Sequence, residues 1–527
     1  MSPVRGRRLW HGASPLLALT ASTLVAFAVA PAAQVRAHQT ISAVEGGFAG
    51  PLGDGDRFGV SAAPLGDLDG DGRPEVAVGA SGDRGGRGAV WILSLRPDGT
   101  VHTAVPIRLD TEPGDLFGTS VAALGDLDGD GTVEVAVGAD HADDGGPDRG
   151  AVHIVSLQPD ASVVRVQTIS ATDGGLVDAP ADGDLFGHSV AAIGDLDGDG
   201  RPELAVGADD ADDGGPQRGA VWILFLNADA TVRRSQRISD TAGGFTGTLG
   251  DGDLFGQAVA GVGDLDGDGT PDLAVAATRD DDGGADRGAV WILFLNVDGT
   301  TRAHQKISAT AGGFGGALAE GDVFGSSLVA TGDLDGDGTP DLAVGAARDD
   351  DGGPERGAAW LLFLTTDGTV RAHQKLSDTV GGDTGAFADG DEWTPAALLG
   401  DLDGDGAADL LLGARLADIG GPTRGAARVL FTGYPVATAP RPLAIDLTVG
   451  PSPTRGPATV RFTLASPGRV SVDVVDMLGR TWHTTASNLP SGPHRLAVDA
   501  RRWPGGLYVV RLSAAGARAT RALVVVR

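Results

Sequence analysis

Apolar residues in this chain fall into short runs separated by stretches of Gly, Asp, Ser and Thr. The stretch Leu342, Ala343, Val344, Gly345 has the two-residue period of a strand, and the unbroken run from Val290 to Leu295 predicts a strand covered on both faces. Neither has the 3.6-residue period of a helix. Gly-rich connectors such as Asp350 to Gly353 predict the turns between strands, because Gly accepts the positive backbone angles that tight hairpins require.

These runs recur at a fixed interval. The hexapeptide DLDGDG begins at Asp67, Asp126, Asp195, Asp264, Asp333 and Asp401, at spacings of 59, 69, 69, 69 and 68 residues. Around each copy stand, in order, a GD-x-FG step, an apolar strand, the acidic loop, an alternating strand, an RGAVWILFL-like strand and an AHQKIS-like strand. Four antiparallel strands repeated six times predict an all-β fold, a six-bladed β-propeller; the coils of a β-solenoid are much shorter than 69 residues. The last strand type appears at Val166 to Ser170, Ser235 to Ser239, His304 to Ser308 and His373 to Ser377, with a degenerate copy near Val105 to Leu109. None follows the sixth repeat, which ends in Arg424 to Phe431, whereas one copy at His38 to Ser42 precedes the first. That N-terminal segment is expected to complete the sixth sheet and close the ring. Trp91, Trp222, Trp291 and Trp360 share one strand position and are expected to pack between blades. The recurring His38, His304 and His373 are expected to be strand residues rather than ligands.

Composition narrows the setting. The chain has 85 Gly, no Cys, two Met and a net charge of -31, so it should repel nucleic acid and attract cations, and its stability owes nothing to disulfides. Arg5, Arg7 and Arg8 precede an apolar run from Leu17 to Ala30 with small residues at Ala28 and Ala30, the pattern of a secretory signal peptide over residues 1–33. A membrane anchor would need about 20 apolar residues, and this run is shorter and broken by Thr20, Ser22 and Thr23. No later stretch is long enough to span a bilayer.

The candidate chemistry lies in the DLDGDG loops. Their first, third and fifth residues are Asp67, Asp69 and Asp71; Asp126, Asp128 and Asp130; Asp195, Asp197 and Asp199; Asp264, Asp266 and Asp268; Asp333, Asp335 and Asp337; and Asp401, Asp403 and Asp405. The ninth residue is acidic in every copy: Glu75, Glu134, Glu203, Asp272, Asp341 and Asp409. The seventh residue, expected to contribute its carbonyl, is Arg73, Thr132, Arg201, Thr270, Thr339 or Ala407. Four carboxylates and a carbonyl on a loop curled by two glycines make a hard, oxygen-only donor set, which favours calcium over the tighter octahedron of magnesium. An EF-hand would need a Glu at position twelve; that position holds Val78, Val137, Val206, Val275, Val344 and Leu412. One such loop alone would be a solvated turn, but six complete copies would repel themselves without counter-ions, so about six structural calcium ions are expected.

Phe324-Gly325, the loop Asp333 to Asp341 and Val344-Gly345-Ala346 resemble the FG-GAP repeat of integrin α-subunit propellers, over residues 38–434. The resemblance implies calcium in all six loops on one face of the propeller. Integrin propellers have seven blades, so a seven-bladed ring is the alternative, and the sixth repeat departs from the pattern with Trp393-Thr394 in place of Phe-Gly. If the FG strand is innermost, the opposite face carries the loops containing Asp143-Asp144, Asp212-Asp213, Asp280 to Asp282 and Asp349 to Asp351, near Arg149, Arg287 and Arg356. Those loops are either a ligand surface or turns whose Asp are screened by Arg.

After Tyr434 the repeats stop. A Pro-rich linker, residues 435–445, leads to residues 446–527, where alternating runs at Ala458 to Leu464, Arg469 to Val475, His494 to Val498, Leu507 to Leu512 and Ala519 to Val526 predict a small Ig-like β-sandwich. Pro451-Ser452-Pro453, the run Val474 to Arg480, the turn Gly505 to Tyr508 and the terminal Val524 to Arg527 resemble the C-terminal sorting domain of the bacterial type IX secretion system. That resemblance implies the type IX secretion machinery as a partner and a secreted or outer-surface location; an ordinary Ig-like module is the rival. The expected function is adhesion to or binding of an extracellular protein or glycan. An extracellular hydrolase and a surface-layer component are the alternatives, although no Ser/His/Asp grouping suggests catalysis.

Overall fold

The computed structural model describes residues 34–382 and 384–433 and, in the C-terminal region, 448–450, 457–464, 468–476, 481–489, 492–501, 503, 506–514 and 517–526. The expected signal peptide, the linker, and the motifs at 451–453, 477–480 and 505 lie outside the described residues.

Six four-stranded antiparallel sheets form the ring. Blade 1 is built from Phe58–Gly66, Glu75–Ala80, Ala89–Leu95 and Val101–Ile107, and blade 2 from Val121–Gly125, Val133–Ala139, Ala151–Leu157 and Val163–Ser170. Blade 3 comprises Ser189–Gly194, Glu203–Ala208, Ala220–Leu226 and Val232–Ser239, and blade 4 Phe255–Gly263, Asp272–Ala277, Ala289–Leu295 and Thr301–Ser308. Blade 5 comprises Phe324–Gly332, Asp341–Ala346, Ala358–Leu364 and Val370–Leu376. Blade 6 takes Thr394–Gly400, Asp409–Ala414 and Ala426–Phe431 from the last repeat, and its fourth strand is Ala37–Ile41 from the start of the chain. Ala37 pairs with Phe431 and Ile41 with Ala427, which is the closure expected from the orphan N-terminal copy. The first strand of each blade touches the first strand of the next all round the ring, so the strand beginning at the FG step is innermost and there are six blades, not seven.

The core is distributed between blades. Each of six apolar clusters joins residues of two neighbouring blades. The run that reads as continuously apolar divides by alternation: Val290, Ile292 and Phe294 face blade 5, while Trp291, Leu293 and Leu295 face blade 3. Trp91, Trp222, Trp291 and Trp360 lie in these clusters as expected. His304 and His373 are strand residues against Trp291 and Trp360, with ring centroids 5.2 and 5.4 Å away.

Glycine permits the close approach of blades. A Cβ on Gly207 would come well inside 3.0 Å of Gly256 O and Ser189 Oγ, and Gly256, the glycine of blade 4's FG step, has φ 100°. Blade 6 solves its lack of an FG step with another pair. Trp393 is fully buried, donates Nε1–H to Asp391 Oδ2 at 3.0 Å, and stacks under the Arg428 guanidinium, 4.2 Å from the ring centroid. Arg428 occupies the strand position that holds Trp in blades 1, 3, 4 and 5. The short first interval of 59 residues arises partly in the loop from Ala80 to Ala89 and mostly in the connection from Ile107 to Val121, which lacks the Gly-Gly turn found at 46–47, 174–175, 243–244, 312–313 and 381–382.

In the C-terminal region Thr448–Gly450, Pro457–Leu464 and Gly492–Asp499 form one antiparallel sheet, and Thr481–Leu489, Gly468–Asp476, Gly506–Ala514 and Ala517–Val525 form another. Val460, Phe462 and Val498 of the first share a core with Val470, Val472, Val474, Val510 and Leu512 of the second. The strand Thr481–Leu489 escapes a pattern search because its sequence, TWHTTASNL, has little apolar alternation.

Candidate metal loops and the opposite face

Each acidic loop connects the innermost strand to the second strand of its blade. Its carboxylates shape it. The first Asp accepts the N–H of the second glycine in every copy, for example Gly72 N to Asp67 Oδ2 at 3.0 Å and Gly338 N to Asp333 Oδ2 at 2.9 Å. The fifth residue accepts the N–H of the seventh, as in Arg73 N to Asp71 Oδ1 and Thr339 N to Asp337 Oδ1, both 2.8 Å. Gly70 and Gly72 have φ of 78° and 89°, which lets the side chains converge. Oxygens of Asp67, Asp69 and Asp71 lie within 4.8 Å of one another, and so do those of Asp126, Asp128 and Asp130, of Asp195, Asp197 and Asp199, of Asp264, Asp266 and Asp272, and of Asp333, Asp335 and Asp341.

The ninth residue is the buried anchor. Glu134, Glu203, Asp272 and Asp409 are fully buried and Asp341 nearly so, and each accepts the N–H of the loop's second residue, such as Leu334 N to Asp341 Oδ2 at 2.9 Å. In blades 4, 5 and 6 the other oxygen ties the loop to the third strand, through Leu295 N and Leu364 N at 3.1 Å and Thr432 N at 3.2 Å. Burial, then the neighbouring Asp197, Asp195 and Asp199, push Glu203 up to about 7 against the bond from Leu196. Burial likewise pushes Asp341 up to about 7 and Asp272 and Asp409 to about 6. Blade 3 tests whether a cation fits: Glu203 Oε1 and Asp197 Oδ1 are buried in one loop, neither with a hydrogen-bond partner. Two such acceptors facing a set of hard oxygens suit a divalent cation.

One component of these loops has no signal in the loop sequence. An arginine from the outermost strand reaches the third and fifth carboxylates. Arg371 Nη2 lies 2.6 Å from Asp335 Oδ2 and 2.8 Å from Asp337 Oδ2, and Arg302 Nη2 is 2.7 Å from both Asp266 and Asp268. Arg233 is 2.7 Å from Asp197 and 3.1 Å from Asp199, and Arg36 pairs with Asp405. Blade 2 shifts the residue by one, leaving Arg165 4.0 Å from Asp128; blade 1 has His102 at this place, and Arg73 pairs with Asp71 instead. The recurrence of Arg one residue into the AHQKIS-like strand was the available clue.

On the opposite face the loops after the second strands are screened. Arg149, Arg218, Arg356 and Arg424 each place Nε 2.7–2.8 Å from an Asp that leads into the next blade: Asp182, Asp251, Asp389 and Asp54. Arg287 meets Glu320 at the matching position in sequence, and its Nε has no hydrogen-bond partner. Lys306 bridges Asp280 and Asp282 at 2.7 and 2.8 Å, and Lys375 bridges Asp349 and Asp351 at 2.7 and 2.6 Å, each over a tryptophan. Arg149 and Arg356, expected to screen these loops, thus hold the Asp that lead into the next blade, and Asp280, Asp282, Asp349 and Asp351 are screened by lysine instead. The Asp of each GD-x-FG step, unassigned in the sequence, holds its own turn, as Gly250 N to Asp253 Oδ2 at 2.7 Å illustrates.

Comparison with known proteins agrees with this architecture. The FG-GAP repeat matches residues 186–224, 255–293 and 324–362, an FG-GAP-like repeat matches 67–137, and the secretion system C-terminal sorting domain matches 448–526. Integrin alpha pat-2 of Caenorhabditis elegans is 31% identical over 238 residues, 43% of this chain and 18% of that protein. Integrin alpha-5 of Xenopus laevis is 36% identical over 165 residues and integrin alpha-IIb of Homo sapiens 38% over 167, each covering 31% of this chain and 14% of the relative. The chain thus spans less than a fifth of the length of these relatives. It carries FG-GAP repeats and a sorting domain that directs it to secretion or the outer surface. Among the described residues no helix is long and apolar enough to cross a membrane.

Proposed function

We propose that this chain is an exported propeller, stiffened by about six calcium ions, that presents a rigid face for binding an extracellular protein or glycan, and that it is not an enzyme. Residues 1–33 act as its signal peptide, 38–434 form the binding domain, 435–445 the linker, and 446–527 the sorting domain recognised by type IX secretion machinery. The observation that carries the calcium assignment is blade 3, where two buried carboxylate oxygens without partners, Asp197 Oδ1 and Glu203 Oε1, belong to one loop. In each loop the carboxylates of residues one, three, five and nine and the carbonyl of residue seven would hold the ion, whose charge allows the buried ninth residue to stay ionised. Because the loops join the two innermost strands, an ion in each ties the inner ring together.

The test is calcium stoichiometry and thermal unfolding of the mature chain with and without chelator. About six ions per chain are expected, with a large fall in the unfolding temperature on chelation, since each site at 100-fold saturation adds about 2.7 kcal/mol. A chain that binds no calcium and unfolds identically in chelator refutes the assignment. A glycan and matrix-protein binding screen tests the ligand-binding role separately.

A further inference from the structure

Six near-identical repeats supply an internal comparison, because a residue that departs from the repeat does so against copies of what the fold requires. The hexapeptide DLDGDG is unchanged six times. By contrast, the position just after the second strand is Ser81, Asp140, Asp209, Thr278, Ala347 and Arg415, and the position after the FG glycine is Val60, Thr119, His188, Gln257, Ser326 and, in blade 6, Pro395. These departures gather where the central channel opens opposite the metal loops. A cavity of about 220 Å³ lies there, with His188, Gln257, Arg279, Arg348, Glu392 and Arg415 in its lining.

The mouth is polarised. Arg279, Arg348 and Arg415 come from blades 4, 5 and 6, and the last two have side chains 49% exposed. The buried Glu392 serves both of these: Arg415 Nη2 is 2.9 Å from Oε2 and Arg348 Nε 3.8 Å from Oε1, while the exposed Glu355 is 3.9 Å from Arg348 on the rim. Two guanidiniums therefore share one buried carboxylate with Arg279 beside them in the lining, in a chain of net charge -31. Across the opening, His188 Nδ1 lies 2.9 Å from Asp140 Oδ2 and 3.7 Å from Asp209 Oδ1, and His141 Nδ1 is 3.2 Å from Asp140 Oδ1. Burial opposes a charge on His188, but Asp209 and Asp140 outweigh it and hold its pKa up to about 9. Blade closure does not need these groups. Ser61, Ser120 and Ser189 make the inter-blade bonds to Gly118 O, Gly187 O and Gly256 O, and blade 1 joins the ring with Val60 and Ser81 in their place. Charges gathered at a site the fold closes without them point to a ligand.

We propose that the channel mouth binds a uronic-acid residue of a glycan, with Arg279, Arg348 and Arg415 on its carboxylate and Gln257 and His188 on its hydroxyls. The cavity admits one compact group, and its lining sets the hydrogen-bonding Thr119, Gln257 and Ser326 among aliphatic residues such as Val259 and Leu328, a mixture that suits the hydroxyls and the C–H face of a sugar ring. A sugar acid uses both walls, whereas an acidic peptide side chain would use only the arginines. The proposal rests on the ring being a ligand-binding domain and names its ligand class.

The test is titration calorimetry of the full mature chain in calcium with D-glucuronate, D-glucose and N-acetyl-L-aspartate, at low and high salt. Glucuronate is expected to bind at least about tenfold more tightly than either of the others, and Arg279→Gln or Arg348→Gln to weaken it by about tenfold, as loss of one charge-assisted bond would. Both arginines are exposed, so unfolding temperature and calcium stoichiometry should stay at wild-type values and certify the fold. The proposal falls if glucuronate binds no better than glucose, if N-acetyl-L-aspartate equals it, or if the Arg variants bind it unchanged. A glycan or matrix protein retained equally by wild type and Arg variants would overturn this site while leaving the ligand-binding role standing.

Discussion

The arginines beside the metal loops make a prediction whose sign is not the usual one for removing an ion pair. Arg371 is 28% exposed and holds Asp335, itself 7% exposed, and Asp337 at 2.6 and 2.8 Å. Partly exposed pairs contribute about 0.5–1 kcal/mol each, so the two together stabilise the metal-free loop by about 1–2 kcal/mol. A calcium ion draws on the same carboxylates and is opposed by the guanidinium charge. Arg371→Gln should therefore tighten calcium at that loop by about tenfold, the equivalent of 1.4 kcal/mol, and lower stability in chelator by about 1 kcal/mol. Arg233→Gln, Arg302→Gln and Arg371→Gln combined make the effect visible over six sites. Competition calorimetry against a chelator should resolve three tightened sites from three unchanged ones, while the chelated variant melts earlier than the chelated wild type. Weaker binding at those three sites would refute the argument and mean that the arginines orient the carboxylates for the ion rather than oppose it.

Three further outcomes follow from the ring itself. Gly207→Ala should cost about 3 kcal/mol in urea unfolding, because its Cβ meets backbone of the next blade, whereas Ala276→Gly, at the matching position in blade 4, should cost about 1 kcal/mol; equal costs would refute the inter-blade clash. Ile41→Ala, at the fully buried end of the closing strand, should cost about 2–4 kcal/mol and raise proteolysis at the seam between the first and last repeats; a protein that melts at the wild-type temperature would mean the ring does not depend on that strand. For His188 the folded pKa is raised from 6.5 to about 9 by Asp209 and Asp140 against burial, so its contribution is complete below about pH 6.5 and lost as pH rises through about 9. Wild type should thus lose unfolding temperature between pH 7 and 9.5 more steeply than His188→Gln, and superimposed profiles would refute the pairing.

How much of this was legible in the sequence depends on whether a feature repeats. The order of strands, the N-terminal closure and the inter-blade tryptophans are periodic, and period alone located them. The carboxylate loops were legible for the same reason, down to the ninth residue, whose burial follows from its place at the start of a strand covered on both faces. What the repeat could not reveal is contact between residues distant in sequence. Arg371 lies 36 residues beyond Asp335 and Arg149 lies 33 before Asp182, and each pair meets only after the blades are formed. Blade 6 shows the same limit. Trp393-Thr394 reads as a broken FG step until Arg428, 35 residues on, is seen to take the tryptophan's place, so that two substitutions exchange an aromatic pair for a cation over a ring.

The two faces of the ring divide the work that repetition and divergence do. An ion in every loop is useful only if all six inner strand pairs are stiffened alike, since the ring opens at its weakest blade, and this favours identical loops. Recognition requires the reverse: a ligand that lacks sixfold symmetry can be held at the channel only by side chains that differ from blade to blade. Asp140 and Asp209 on one side of the opening, and Arg279, Arg348 and Arg415 on the other, supply that asymmetry where six strands converge. The Asp loops further out in blades 4 and 5 are alike and each is bridged by a lysine of its own blade, as turns are rather than ligand sites. If the proposed site is right, departure from the repeat separates the residues that build the propeller from those that would give it a specific partner.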